Sequence, residues 1–120
     1  GLSIFSYGPL AQGLLSGKYD GNSKFEENDR RHRLKEFSKE NFKLYKNILI
    51  AISSLAEKKE KLMAQIAIRW CIDSGYIYST IVGIKNQEQY KINFKALEWK
   101  LTSEEWKYLE KISNKNSINF

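Results

Sequence analysis

The sequence predicts an α/β fold, mostly helical, with two strands and about four helices. Two runs rich in β-branched and aromatic residues, at about residues 2–7 and 77–82, have the composition of strands, and each is followed by glycine. Four other segments have the apolar spacing or the capping residues of helices. With 120 residues, 42% of them hydrophobic, the chain can form one domain with a core.

The first predicted strand covers residues 2–7. Gly8 and Pro9 end it, because proline has no N–H to donate and its ring fixes φ. Gly13 and Gly17 then keep the backbone of the following loop open to a close approach.

The second predicted strand, at about residues 77–82, ends at Gly83 and leads into a helix. Asn86 is expected to cap that helix, with Gln89 completing a capping box. A strand end, a glycine and a helix N-terminus together form a seat for an anion, because free N–H groups and the helix dipole attract negative charge. Lys85 adds a full positive charge at its mouth.

Each part of this second motif also has a plain structural explanation. Strand–glycine–helix junctions are common in α/β proteins, Gln89 would serve equally well as a cap partner, and a loop lysine such as Lys85 is usually solvated. Gln89 and Asn93 lie four residues apart, so they share one face of the helix, where two amides could bind a ligand. The combination favours a binding site, although no single residue does.

The first helix is predicted at about residues 38–59 and the second at about residues 62–73. The second is apolar on several sides, which is typical of a helix buried between neighbours, and Gly75 is expected to end it. Trp70 and Cys71 are predicted to be packing residues. The face of the first helix that is predicted to be buried carries Leu44, Ile48, Ala51, Ile52 and Leu55.

The third helix is predicted over residues 87–96. The fourth begins at the cap Thr102, with Glu105 as its capping-box partner. Residues 114–120 are predicted to be a frayed tail. The inner face of the fourth helix is predicted to carry Trp106, Leu109 and Ile112.

Composition argues against several classes of function. The formal net charge is +6, but the 20 basic residues are spread evenly and no nucleic-acid motif occurs, so a solvated, lysine-rich surface is expected. One cysteine and one histidine provide neither an internal disulfide nor a zinc site. No apolar run is long enough to span a membrane, and a cytoplasmic location is expected. Because the chain opens on glycine, we expect an excised piece of a longer protein.

Two segments resemble the aldo-keto reductase family. Residues 7–19 read Tyr-Gly-Pro-Leu-Ala-Gln-Gly-Leu-Leu-Ser-Gly-Lys-Tyr, and residues 83–93 read Gly-Ile-Lys-Asn-Gln-Glu-Gln-Tyr-Lys-Ile-Asn. The family carries similar segments, in this order, after the seventh and eighth strands of its barrel. The resemblance covers about residues 2–112. It departs from the family at Ile92, where glutamate is usual, and at Gly8, where serine is usual.

The resemblance implies that residues 1–120 form a single partial domain, the C-terminal fragment of a (β/α)8 TIM barrel. A complete barrel needs eight strands and about 250 residues, whereas two strands are predicted here. The two strands would be parallel and adjacent, with a pair of helices as the crossover between them. In such barrels the loops after strands 7 and 8 often form a phosphate site.

The resemblance also implies a function, the NADP(H)-dependent reduction of a small aldehyde or ketone by hydride transfer. The family's catalytic Asp, Tyr, Lys and His come from the first half of its barrel. No catalytic residue is therefore expected in this chain, which is predicted to be inactive alone, and cofactor binding is what carries over. The implied cofactor contacts are Tyr7, Gly8, Pro9, Leu10, Ala11, Gln12, Lys18, Gly83, Lys85, Gln89 and Asn93.

These contacts have implied roles. Tyr7 would stack under the nicotinamide, and residues 8–12 would hold the diphosphate side. Gly83 and Lys85 would bind the adenosine phosphate, and the two amides of the third helix would bind the adenine.

The segment at residues 20–37 is polar and densely charged. It is predicted to be a flexible loop beside the cofactor, because the family's corresponding loop carries an arginine that folds over the cofactor. Arg30 is the candidate for that arginine, and His32 is not expected to take part in catalysis. The alternative is a mobile, solvated loop without a binding role.

A second class of function stays open, a stand-alone, oligomeric helical binding module without catalytic activity. Two strands alone leave both edges of a sheet unpaired, and unpaired edges recruit further strands. Self-association of the isolated chain is therefore expected, whereas nucleic acid and membranes are not expected partners.

Overall fold

The computed structural model describes residues 1–115, and its fold is α/β and mostly helical, as the sequence predicts. Among these residues, no helix is long and apolar enough to cross a membrane. The strands are β1 (Phe5–Tyr7) and β2 (Ser79–Ile81), and the α-helices are α1 (Lys39–Lys58), α2 (Met63–Ile72), α3 (Gln87–Phe94) and α4 (Ser103–Lys115). Short 3₁₀ segments lie at Ala11–Ser16, Arg30–Arg33, Lys35–Phe37 and Lys95–Glu98.

Strands β1 and β2 pair in parallel, with Ser6 opposite Thr80, and helices α1 and α2 form the predicted crossover between them. Both strands are shorter than the predicted runs, because only the residues that face each other across this single ladder form strand. The Ser6 hydroxyl donates to Thr80 Oγ1 (2.8 Å) and lies 3.0 Å from Cys71 Sγ. Cys71 therefore packs between α2 and the sheet, as predicted.

The core lies between α1, α2 and α4. Helix α1 begins at its cap Ser38, whose hydroxyl accepts a hydrogen bond from the Asn41 N–H (3.3 Å). Leu44, which was predicted to be buried, is 46% exposed. The buried face starts at Tyr45 instead, because that residue meets the partner helices. The buried cluster consists of Ile48, Ala51, Ile52, Leu55, Ala56, Ile66, Leu101 and Leu109.

Helix α2 is buried between its neighbours, as predicted, and carries two buried polar side chains. Gln65 accepts a hydrogen bond from Leu62 N (3.0 Å) and donates to Ile92 O (2.8 Å), which connects the start of α2 to α3. Arg69 forms an ion pair with Asp73, one helical turn later. Both polar groups are thus satisfied, as burial requires, and Gln65 holds α2 against α3.

Helix α2 is followed by the predicted glycine stop, since Gly75 has a φ of +77°. Helix α3 is shorter than predicted and ends at Phe94, after which the chain continues as the 3₁₀ segment Lys95–Glu98. Helix α4 extends through Asn114 and Lys115, the first two residues of the tail that is predicted to fray. The rest of that predicted tail, residues 116–120, lies outside the described residues.

Helix α4 has the predicted capping box. Thr102 Oγ1 accepts from Glu105 N (3.1 Å), and Glu105 Oε2 accepts from Thr102 N (2.9 Å). Lys59 Nζ also donates to Glu105 Oε2 (2.9 Å), so the cap joins α4 to the end of α1. The predicted inner face is confirmed, because Trp106, Leu109 and Ile112 belong to the core.

The cap should make stability depend on pH. Burial alone would raise the pKa of Glu105, but hydrogen bonds from Thr102 N and Lys59 outweigh it, and the pKa lies below its ordinary value of 4.5. A carboxyl group with a lower pKa in the folded state stabilises the fold above its unfolded pKa, and that contribution is lost as the pH falls through the folded value. We expect Glu105→Gln to lower the free energy of unfolding by about 1 kcal/mol at neutral pH.

Urea unfolding at several pH values measures this contribution. The difference in unfolding free energy between the wild-type chain and Glu105→Gln should shrink as the pH falls below the ordinary glutamate pKa. Glu104→Gln, at an exposed neighbour, is the control. Parallel pH profiles for the wild type and Glu105→Gln would show that the cap does not depend on the charge.

Candidate functional site

Both strand ends open onto one cavity of about 1250 Å³. Because β1 and β2 are parallel, the segments that follow them leave the same edge of the sheet. Ala11, one of the predicted cofactor contacts, does not line the cavity, since the chain turns back there and Ala11 N donates to Gly8 O (2.9 Å). The predicted contacts that do line it are Tyr7, Gly8, Pro9, Leu10, Gln12, Lys18, Gly83, Lys85, Gln89 and Asn93.

The segment after β1 forms a tight turn with an unusual backbone. Ala11 and Gln12 have φ values of +47° and +57°, a conformation that costs a residue with a side chain about 1–3 kcal/mol. The turn is held by Leu14, which is 1% exposed, and by the Ser16 hydroxyl, which donates to Gly13 O (2.6 Å). The strain is thus sustained by the buried Leu14 side chain and by the hydrogen bond of Ser16.

The segment after β2 carries a helix cap that differs from the predicted one in a single bond. Asn86 Oδ1 accepts from Gln89 N (2.9 Å), as predicted, but Gln89 Oε1 accepts from Lys85 N (2.9 Å) rather than from Asn86 N. The Lys85 N–H is therefore used by the cap. Within residues 1–115, no acceptor meets the N–H groups of Asn86, Gln87 and Glu88, so the anion seat keeps those donors.

The loop after Tyr19 contains a small aromatic cluster. Tyr19, Phe25 and Phe37 pack with ring centroids 5.1 to 5.7 Å apart. The guanidinium carbon of Arg31 lies 4.8 Å from the Tyr19 ring centre and 4.7 Å from that of Phe25. Arg31 lines the cavity, whereas Arg30, the predicted candidate, is exposed and does not. Successive residues of a 3₁₀ turn point about 120° apart, which explains the difference.

Arg31 is paired with Asp29 at the cavity rim. Hydrogen bonds from the Arg31 side chain and backbone lower the pKa of Asp29 to about 2, with a smaller contribution from the charge of Lys85. The same pair raises the pKa of Arg31. The loop thus places an ion pair in the same cavity as the anion seat, which the sequence did not predict. An aspartate two residues before an arginine, near two aromatic residues, is the signal that could have found it.

The connection between α1 and α2 also lines the cavity, through Lys61 and Leu62, together with Met63 at the start of α2. Gly17 lies beside it with a φ of +75°, and a side chain there would collide with Met63. This wall was not predicted, because nothing local in the sequence places the connection next to the strand ends. Within residues 1–115, no group of three or more His, Cys, Asp or Glu side chains could hold a metal ion.

The parallel strand ends, the crossover and the cavity define a part of a (β/α)8 barrel, and the comparisons with known proteins agree. The model of the Aldo/keto reductase family matches residues 1–114. The chain therefore belongs to the aldo-keto reductase family. The chain is also similar to a solved structure, the glycerol dehydrogenase AKR11B4 from Gluconobacter oxydans, with a TM-score of 0.82, 30% identity, and coverage of 98% of this chain and 36% of that one.

Among curated relatives, the chain is 37% identical over 110 residues to the chloroplastic pyridoxal reductase of Arabidopsis thaliana, covering 92% of this chain and 28% of that protein. It is 30% identical over 118 residues to the aldo-keto reductase str7 of Strobilurus tenacellus, covering 98% of this chain and 35% of that protein. The chain thus spans about a third of the length of these relatives.

Proposed function

We propose that this chain is the NADP-binding part of a cytoplasmic aldo-keto reductase that reduces aldehydes or ketones by hydride transfer. One observation carries the proposal: the two segments that resemble the family, far apart in sequence, line one cavity at parallel strand ends. The cofactor class is supported by family membership and by the NADP(+) in the name of a relative, the aldo-keto reductase yakc of Schizosaccharomyces pombe.

The lining suits a phosphorylated dinucleotide in size and charge. Pockets for drug-sized ligands measure about 300–1,000 Å³, so about 1250 Å³ leaves room for a dinucleotide. At Gly83 a side chain would meet nothing within 4 Å, so a ligand can approach the backbone there. Four basic and three acidic side chains line the cavity, and they are Lys18, Arg31, Lys61, Lys85, Glu26, Asp29 and Glu57.

The chain's own residues would bind and orient the cofactor. Tyr7 is 87% exposed at the end of β1, where its ring offers a stacking face to the nicotinamide. Lys85 and the free N–H groups at the start of α3 would bind the adenosine phosphate, while Gln89 Nε2 and the Asn93 amide would contact the adenine. Bound NADPH supplies the hydride. The catalytic proton donor is proposed to come from the part of the enzyme outside this chain, together with the substrate pocket.

Lys85 provides the test of the cofactor assignment. A 2′-phosphate gains a charge-assisted contact with Lys85 that a ribose hydroxyl lacks, and such contacts contribute about 1.5–3 kcal/mol. We expect Lys85→Ala to weaken NADPH binding by about tenfold to a hundredfold and to leave NADH binding nearly unchanged. Fluorescence titration of the chain with both cofactors measures these affinities.

Lys91→Ala is the matched control, because Lys91 lies on the same helix, is exposed, and does not line the cavity. It should change neither affinity by more than about twofold. Equal losses for NADPH and NADH in Lys85→Ala would remove the phosphate role that we assign to Lys85.

An exposed apolar sheet favours a second candidate, a self-associating module without catalytic activity. Phe5 is 59% exposed, Tyr78 is 74% exposed and Ile81 is 60% exposed, and neither strand has a second partner among the described residues. Unpaired edges with apolar faces recruit further strands. We therefore propose that the isolated chain self-associates, and a clean monomer in analytical ultracentrifugation would argue against it.

A further inference from the structure

Arg31 is already bound on two sides by residues of its own loop. Its Nε donates to Asp29 Oδ1 (3.0 Å) and Oδ2 (3.2 Å), its Nη2 donates to Asp29 Oδ2 (2.5 Å), and its Nη1 donates to the Tyr19 hydroxyl. The rings of Tyr19 and Phe25 flank the guanidinium group. Asp29 thus holds Arg31 through a two-atom, fork-shaped contact, which is also the geometry in which arginine binds phosphate.

The pair lies in the same cavity as the anion seat at the start of α3. Asp29 and Arg31 both line the cavity, together with Lys85. Their side chains are only 27% and 17% exposed, so water and salt screen the pair less than they screen a surface ion pair. With a pKa of about 2, Asp29 keeps its negative charge at neutral pH. A phosphate that uses the same edge of Arg31 must therefore take the place of a carboxylate.

We propose that Asp29 is a specificity-determining residue, an internal carboxylate that competes with the ligand's phosphate for Arg31. The inference deepens the proposed function, since it concerns the same cavity. A carboxylate carries one negative charge, so a phosphate group with two charges displaces it more readily than a group with one charge, and a neutral hydroxyl does not displace it. Asp29 therefore weakens the binding of all anions, and it weakens that of highly charged phosphate ligands least.

The sign of a charge-removing substitution tests this role. Asp29→Asn keeps the size of the side chain and removes the competing charge. It also keeps an oxygen that can accept from the backbone N–H of Arg31, as Asp29 Oδ1 does at 2.9 Å. We expect Asp29→Asn to bind inorganic pyrophosphate about fivefold more tightly than the wild-type chain at low ionic strength. A purely structural role for Asp29 would instead make binding weaker or leave it unchanged. Isothermal titration calorimetry measures the affinities.

Asp20→Asn is the matched control, because it makes the same charge change in the same loop and Asp20 does not line the cavity. It should leave pyrophosphate binding within about twofold of the wild type.

A second variant, Arg31→Met, tests whether the effect of Asp29 acts through Arg31. In that background Asp29→Asn should give no gain, because the group for which the carboxylate competes is absent. If Arg31→Met does not fold, Arg31→Lys should reduce the gain, since lysine cannot form the two-atom contact.

Three results would overturn the inference. The first is that Asp29→Asn binds pyrophosphate no more tightly than the wild-type chain, which includes the case in which neither chain binds it. The second is an equal gain in pyrophosphate affinity from Asp20→Asn. The third is a full gain in affinity from Asp29→Asn in a chain that lacks Arg31. The proposed function fails separately, through the absence of NADPH binding. If the chain binds no NADPH but Asp29→Asn still raises its affinity for pyrophosphate, the competition between Asp29 and the phosphate stands and the cofactor assignment fails.

Discussion

Asp73→Ala should lower the free energy of unfolding by about 3–5 kcal/mol, a large fraction of the 5–15 kcal/mol that is typical of a folded domain. Asp73 accepts from Arg69 Nε (3.0 Å) and from Leu101 N (2.9 Å), and Arg69 Nη2 donates to its other oxygen. The Arg69 side chain is only 4% exposed. Without Asp73, a buried positive charge and a backbone N–H lose their partners, and the start of α4 loses its link to the end of α2.

Chemical unfolding with a second variant separates the charge from the packing. Arg69→Met with Asp73→Ala removes both charges and keeps an apolar side chain in the buried site, so the double variant should be more stable than Asp73→Ala alone. Two results would mean that the pair does not stabilise this fold. One is that Asp73→Ala lowers the free energy of unfolding by less than about 1 kcal/mol. The other is that the double variant is less stable than Asp73→Ala.

The 120-residue chain alone should bind NADPH and yet show no measurable aldehyde reduction. Hydride transfer needs a positioned proton donor as well as the cofactor, and positioning and acid catalysis together account for many orders of magnitude in rate. We propose that this donor belongs to the part of the enzyme outside the chain. We expect NADPH oxidation with an aromatic aldehyde to proceed at the rate seen in buffer alone. Absorbance measures this rate, at a cofactor concentration close to the Kd of the wild-type chain.

Lys85→Ala separates turnover by the chain from turnover by a contaminant. A trace of another reductase would give the same rate in both preparations, whereas turnover by this chain would fall with its cofactor affinity. A rate above buffer that falls in Lys85→Ala would contradict our proposal that the proton donor lies elsewhere.

Local rules were enough to predict the elements of the fold. The capping boxes at Asn86 and Thr102 predicted where α3 and α4 begin, because a cap is formed by residues three positions apart. The same rules could not find the buried hydrogen bonds of Gln65 to Ile92 or of Asp73 to Leu101, which join residues 27 and 28 positions apart. Those bonds depend on which helices become neighbours, and no local pattern encodes that.

The candidate site was predictable where it follows the strand ends and unpredictable where loops cross it. Residues just after β1 and β2 must meet at one sheet edge, so most of the predicted contacts line one cavity. The choice of Arg31 rather than Arg30 depends on contacts with Tyr19 and Phe25, which are 12 and 6 residues away. A one-residue difference in a 3₁₀ turn redirects the side chain, and sequence spacing alone does not resolve it.

The central claim is that the two strand-end segments form a single dinucleotide site, and amide hydrogen exchange with and without NADPH tests it most directly. We expect added protection at residues 7–18 and 83–93 together, with smaller protection around Arg31, and no change in the outer face of α4. Protection should decrease in Lys85→Ala at the same cofactor concentration. Protection in only one of the two segments, protection elsewhere, or none at saturating NADPH would contradict the claim.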